Sequence, residues 1–144
     1  MIYPVPFRAE HLRAMKLQAA QAWAAGALTT EALRAFEGPH AATVMRDGRP
    51  VMAGGAVRIW DDRAYLWAWL ADDMAPGEFL AMHRLVKRHL DSLPFRRIEA
   101  AVDVAFEQGH RWMKFLGFTC ETPDTAMTAF LPNGADCRLY SKVK

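Results

Sequence analysis

Three side chains in the C-terminal half are suited to moving protons: Glu99, Asp103 and His110. Glu99 and Asp103 lie on or just past one predicted strand. Glu99 alternates there with Ile98 and Ala100, a placement that also suits a cross-strand pair with a basic neighbour. His110 falls in the next predicted helix. An imidazole can act as acid or base near neutral pH, and a lone helical histidine serves equally as a hydrogen-bonded structural residue. A second group, Asp72-Asp73-Met74-Ala75-Pro76-Gly77-Glu78, sets three carboxylates around the start of a predicted helix, where negative charge is favoured. A third, Tyr65, Trp67 and Trp69, lines one strand face. A stacking platform for nucleic-acid bases needs basic flanks, and only Arg63 is adjacent, so this stripe reads as core or as the interface of a homodimer. The five histidines are scattered and no Cys/His spacing resembles a zinc site, so no metal is expected. Cys120 and Cys137 read as two reduced thiols.

The elements that must hold these groups follow from periodicity and turn residues. Tyr3 to Phe7, broken by prolines, suits an edge strand. Leu12, Met15, Ala19, Ala22 and Trp23 recur at helical steps, predicting one helix over Glu10–Ala25 with Gly26 as its terminator. Thr30 precedes a short second helix. Ala41–Arg46 and Arg49–Trp60 predict a hairpin across Asp47-Gly48, because both turn residues tolerate positive φ. Gly54-Gly55 predicts a bulge or a close backbone approach. Arg63–Ala71 is apolar on both faces and reads as a central strand. A helix then runs from Pro76 to Pro94 along the stripe Phe79, Met82, Val86, Leu90 and Leu93. A strand over Arg96–Asp103, a helix over Phe106–Leu116 ended by Gly117, and an extended Phe118–Glu121 follow. A final hairpin is expected between Thr125–Leu131 and Ala135–Lys142.

With 144 residues, 52% hydrophobic and 24% charged, the chain reads as a single domain over residues 1–144. A net charge of +2 gives no electrostatic case for nucleic acid or an anionic membrane as partner. No apolar run reaches the roughly 20 residues of a membrane span, and the N-terminus shows no signal peptide, so a cytoplasmic location is expected.

The order is strand, two helices, three antiparallel strands, helix, strand, helix and closing strands. With Phe115-Leu116-Gly117-Phe118 ending the last helix, it resembles the GNAT (general N-acetyltransferase) superfamily. The stretch Gly109 to Phe118 is also similar to small GNAT-like proteins of tailed phages, some of them internal virion proteins. The resemblance implies an α/β (α+β) fold with a mixed, mostly antiparallel central sheet flanked by helices. It also implies a V-shaped gap between strands 63–71 and 96–103. In that family acyl-CoA lies in the gap, its pantetheine pairing with the end of the fourth strand, here Trp69, Leu70 and Ala71. Its pyrophosphate rests on amides at the next helix start, here the loop Met74–Phe79 with Gly77. Acetyl-CoA is the implied cofactor.

The family's loop pattern is Gln or Arg, two residues, Gly, one residue, then Gly or Ala. Asp72 and Ala75 depart from it and only Gly77 matches; Pro76 removes one amide donor. Many members place a general-acid Tyr where this chain has Met113, which leaves that residue facing the cofactor. The Asn often found at the start of that helix is Phe106 here. Glu99, Asp103 and His110 are then the candidates to handle the proton when an amine attacks the thioester. The resemblance implies one of two functions. One is an acyl-CoA-dependent N-acetyltransferase acting on a small-molecule or protein amine. The other is a non-catalytic phage virion or accessory component whose partners are virion proteins, in the virion or the infected cell.

Overall fold

A computed structural model describes every residue from Met1 to Lys144. The strands are β1 (Ile2–Pro6), β2 (Ala41–Arg46), β3 (Arg49–Trp60), β4 (Arg63–Leu70), β5 (Arg97–Asp103), β6 (Thr119–Cys120) and β7 (Cys137–Val143). The helices are α1 (Ala9–Arg13), α2 (Trp23–Ala27), α3 (Thr30–Arg34), α4 (Pro76–Ser92) and α5 (Glu107–Phe115), with one 3-10 turn at Ala19–Gln21. The seven strands are ordered β1-β2-β3-β4-β5-β7-β6. The β4–β5 pair is parallel, while β1–β2, β2–β3, β5–β7 and β6–β7 are antiparallel. This is the mixed, mostly antiparallel α/β architecture expected. No helix is long and apolar enough to cross a membrane. The chain divides into two units, Met1–Val57 with Trp67–Leu93 and Arg58–Leu66 with Pro94–Lys144.

In the first unit β1, carrying Pro4 and Pro6, pairs with β2 at the end of the strand order, where missing amide donors do least harm. The β2–β3 hairpin turns on Asp47 and Gly48, at φ 49° and 79°. The β2–β3 register shifts between Val44 and Met45, and Val51 is the extra residue. Gly54-Gly55 is a close approach instead of the bulge. A Cβ on Gly55 would lie 2.8 Å from both Ala41 Cα and the His40 carbonyl. Phe7, Leu12, Met15, Leu33, Trp67 and Trp69 fill the core, the Trp67 ring 4.9 Å from Phe7 and 4.7 Å from Trp69. Pro76 opens α4 and Pro94 follows its end, as expected.

The single helix expected over Glu10–Ala25 does not form. Helix α1 stops at Arg13, Leu17 bridges antiparallel to Ala71, and only after the 3-10 turn does α2 begin. Backbone groups of 16–18 bond to the end of β4 and so cannot join a helical ladder. Gly26 lies inside α2 and is not its terminator; Leu28 closes that helix by donating to the Ala24 carbonyl. The cap of α3 is Thr29, whose hydroxyl accepts from Ala32 N–H, one residue before Thr30.

In the second unit β5 pairs with β7 along its whole length, from Arg97↔Val143 to Asp103↔Cys137. Helix α5 packs closely on β5; a Cβ on Gly109 would meet Val102 at 2.9 Å. Gly117 ends the helix at φ +87°, and the buried Phe118 donates to the Met113 carbonyl. Thr125–Leu131 is not a strand. β6 takes the outer edge of β7 at Tyr140 and Ser141, Met127 bridges to Cys137 beyond it, and Ala129 at φ 50° breaks the extended run, so 125–131 contributes only that isolated bridge. Cys120 and Cys137 are both free thiols. The β4–β5 ladder holds Arg63↔Arg97, Ala64↔Ile98 and Tyr65↔Glu99.

Candidate functional site

Backbone groups of a strand point alternately to its two neighbours. On β4 the alternation is fixed at both ends. The Asp62 carbonyl accepts from Arg97 N–H of β5 at 2.8 Å, and Ala71 N–H donates to Val51 of β3 at 2.9 Å. Even-numbered residues therefore present N–H and C=O on the β5 side, and odd-numbered ones on the β3 side. Of the three residues expected to hold pantetheine, only Leu70 presents its backbone on the side away from β3; the backbones of Trp69 and Ala71 face β3. The edge continues instead through Ala68 and Asp72, which periodicity alone does not single out.

That edge is bonded within the first unit. Asp72 N–H donates to the Lys16 carbonyl at 2.9 Å, and Gln18 N–H donates to the Leu70 carbonyl at 3.1 Å. The Gln21 carboxamide completes the pattern: Nε2 donates to the Ala68 carbonyl at 2.7 Å, and Oε1 accepts from Leu70 N–H at 2.9 Å. The 3-10 turn holds Gln21 there, its own N–H donating to the Gln18 carbonyl at 2.9 Å. Thus a short piece of chain and one side-chain amide take the role of a strand partner.

The start of α4 is likewise engaged. Ala75 N–H donates to Glu78 Oε1 at 3.0 Å, Pro76 has no N–H, and Phe79 N–H donates to the Ala75 carbonyl at 2.9 Å. The first-turn amides left for an anion are those of Gly77 and Glu78. A Cβ on Gly77 would meet nothing within 4 Å, so this chain's own packing does not require a glycine there. The neighbouring acids are paired with bases. Arg46 reaches Glu78 at 2.6 Å and Asp73 at 3.0 Å, Arg49 reaches Asp73 at 3.1 Å, and Lys16 lies 3.3 Å from Asp72. The hydrogen bond from Ala75 N–H, and then Arg46, hold the Glu78 carboxyl below its ordinary range; Arg49, and then Arg46, do so for Asp73. Three acids and three bases sum to zero, so the loop is not the uncompensated negative patch its sequence suggests. Met74 is half-buried beside it, and Phe79 is partly exposed at 37%.

In the second unit the proton-handling candidates do not gather. Glu99 and Asp103 share one face of β5 but stand roughly 13 Å apart along it. Glu99, only 5% exposed, receives Arg63 at 2.5 Å and Arg97 at 2.8 Å. Those bonds, Arg63's first, hold its carboxyl below the ordinary range. Arg97 also forks onto Glu121 at 2.8 and 2.9 Å. Arg97, then the Ser141 hydroxyl, bring the Glu121 carboxyl down to about 2. The Asp103 carboxylate accepts from Ala105 N–H at 2.8 Å and shapes the turn into α5. His110 meets the Asp103 carbonyl at 2.9 Å and the Val104 carbonyl at 3.2 Å through Nε2, and the Tyr140 hydroxyl at 2.8 Å through Nδ1. Two carbonyls can only accept, so Nε2 carries the proton, and a neutral ring accepts from Tyr140 at Nδ1. Met113 is buried on α5.

No family model and no curated protein matches this chain in sequence. Solved structures match in fold. The ribosomal-protein-S18-alanine N-acetyltransferase from Escherichia coli is 12% identical over 99% of this chain and 94% of its own, with a TM-score of 0.72. A GNAT-family acetyltransferase from Bacillus anthracis is 13% identical over 99% and 94%, TM-score 0.68. An N-acetyltransferase from Staphylococcus aureus Mu50 is 12% identical over 99% and 98%, TM-score 0.67. The chain has the fold of the GNAT acetyltransferases.

The donor set can be tested against the cofactor that fold implies. Ala68 C=O, Leu70 N–H and C=O, and Asp72 N–H are the right groups for an extended ligand bearing amides. In the arrangement described, all four are bonded to 16–21, and Glu78 holds one amide at the helix start. The groups therefore match pantetheine in kind, and in this arrangement residues 16–21 engage them.

Proposed function

We propose that the chain is an N-acetyltransferase of the GNAT type, acting on a small-molecule or protein amine in the cytoplasm. Its cofactor, acetyl-CoA, would bind along the even-numbered edge of β4. The observation that carries this reading is the edge itself. The β4–β5 ladder runs to Tyr65↔Glu99, and the β4 groups at 68–72 are satisfied by an amide-bearing segment of the first unit rather than by another strand. The fold shared with N-acetyltransferases supports it. The test is calorimetry with acetyl-CoA and desulfo-CoA on the purified protein, then thiol release against a panel of amines. The expected dissociation constant is roughly 100 μM or weaker, near the poor end of substrate affinities. Thiol release must depend on the amine.

A second reading is a non-catalytic GNAT-fold component of a phage virion or its accessory apparatus, with virion proteins as partners. One observation favours it. Glu78 takes one amide of the helix start that would receive a pyrophosphate, and Arg46 ties Glu78 to Asp73. No calorimetric signal and no thiol release at millimolar acetyl-CoA would put this reading first.

A further inference from the structure

The segment Lys16–Gln21 occupies the β4 edge in a way that differs from ordinary core packing. It is anchored on both sides, by buried Leu12 and Met15 before it and by buried Ala24 after it. Between those anchors no residue from Lys16 to Trp23 is buried, although Leu17 and Trp23 rest partly on the core. Four hydrogen bonds and one exposed ion pair, Lys16–Asp72 at 3.3 Å, account for its hold on β4. Exposed ion pairs contribute little, and segments that bury little open at low free-energy cost. The Gln21 carboxamide offers one donor and one acceptor to Ala68 and Leu70, the same pair of functions that one amide of an extended ligand would offer.

We propose that Lys16–Gln21 is a built-in competitor of pantetheine: a strap that closes the β4 edge at rest and must leave before the cofactor can pair there. This rests on the acetyl-CoA reading above and adds its regulation. Any condition that frees the strap raises cofactor affinity, because the apparent dissociation constant is the intrinsic one divided by the open fraction. Gln21 is the fastening that matters most, since it alone supplies two of the four bonds.

The test is calorimetric titration of desulfo-CoA into three proteins. Gln21→Ala, which removes two fastenings, binds about tenfold more tightly than wild type if the open fraction rises tenfold. In the double variant Leu17→Cys/Ala71→Cys the new thiols sit at a bridged pair that exchanges no hydrogen bond of its own. Such pairs have Cα atoms about 4.5 Å apart, within disulfide range. Oxidised, with the 17–71 bond confirmed by mass spectrometry, this variant loses binding; reduced, it regains it, and the same protein serves as its own folding control. Equal binding by wild type, Gln21→Ala and the oxidised lock overturns the strap while leaving the cofactor reading intact. Absence of binding by every form, Gln21→Ala and the reduced lock included, overturns both.

Discussion

Replacing Glu99 by Gln separates a structural carboxylate from a catalytic one. Glu99 is 5% exposed and receives two guanidinium groups, from Arg63 at 2.5 Å and Arg97 at 2.8 Å. Removing one partner of a fully buried pair costs about 3–5 kcal/mol, mostly through the charge left behind. Here the partners are 40% and 30% exposed, so water takes up part of that charge, and Arg97 keeps Glu121. The expected loss is therefore about 1–3 kcal/mol. At about 2.1 cal/mol/K per residue, a chain of this length unfolds with an entropy of about 0.3 kcal/mol/K, so Tm falls by about 3–10 °C. The sign of the pH dependence follows from the depressed carboxyl. In the folded chain Glu99 titrates below its ordinary 4.5, so its stabilisation is full above that pH and is lost as pH falls through the lower folded value. Thermal melts by circular dichroism at pH 7 and pH 3 read both effects, and the gap between wild type and Glu99→Gln should narrow at pH 3. A variant melting within 1 °C of wild type at pH 7, or a gap that persists unchanged at pH 3, would refute the structural assignment.

Other expectations concern packing and thiol chemistry. Phe118→Ala, at a buried site just past the helix exit, should cost about 3–5 kcal/mol by urea titration. Gly55→Ala should prevent accumulation of folded protein, because its Cβ would sit 2.8 Å from Ala41 Cα and the His40 carbonyl; a soluble variant with wild-type Tm would contradict the close approach. Cys137 is fully buried, and burial, then Asp103, push its thiol up to about 11. Native protein treated with iodoacetamide at pH 8 should therefore leave Cys137 unlabelled until denaturant is added.

The architecture was legible where local chemistry and tertiary structure agree. Asp47-Gly48 demanded positive φ and turned a hairpin; Pro76 and Pro94 bracketed α4; Gly117 ended α5 at φ +87°. It was not legible where a distant partner overrode local preference. Leu12, Met15, Ala19 and Ala22 keep helical spacing, yet the backbone at 16–18 bonds to β4 because that edge would otherwise be unsatisfied. Thr125–Leu131 has a strand's composition, but β6 already holds the β7 edge at Tyr140 and Ser141, and Ala129 at positive φ ends the run after the Met127↔Cys137 bridge.

The candidate site was read in outline only. Element order alone points to the end of β4 and the start of α4 as the candidate region. Which backbone groups face the open edge is fixed by two contacts, Asp62 with Arg97 and Ala71 with Val51, that no spacing reveals. Gln21 was missed for the same reason: it lies 47 residues from Ala68 in sequence. The acids of the loop were visible, but their partners Lys16, Arg46 and Arg49 come from other elements.

Amide hydrogen exchange by NMR reads whether Lys16–Gln21 holds the β4 edge. Leu70 N–H donates to Gln21 and Asp72 N–H to Lys16, while Ala71 N–H donates to Val51 of β3. Leu70 and Asp72 should exchange more slowly than a free chain but faster than Ala71, and Gln21→Ala should accelerate Leu70 while leaving Ala71 unchanged. Exchange of Leu70 and Asp72 at free-chain rates in the wild-type protein would contradict that hold.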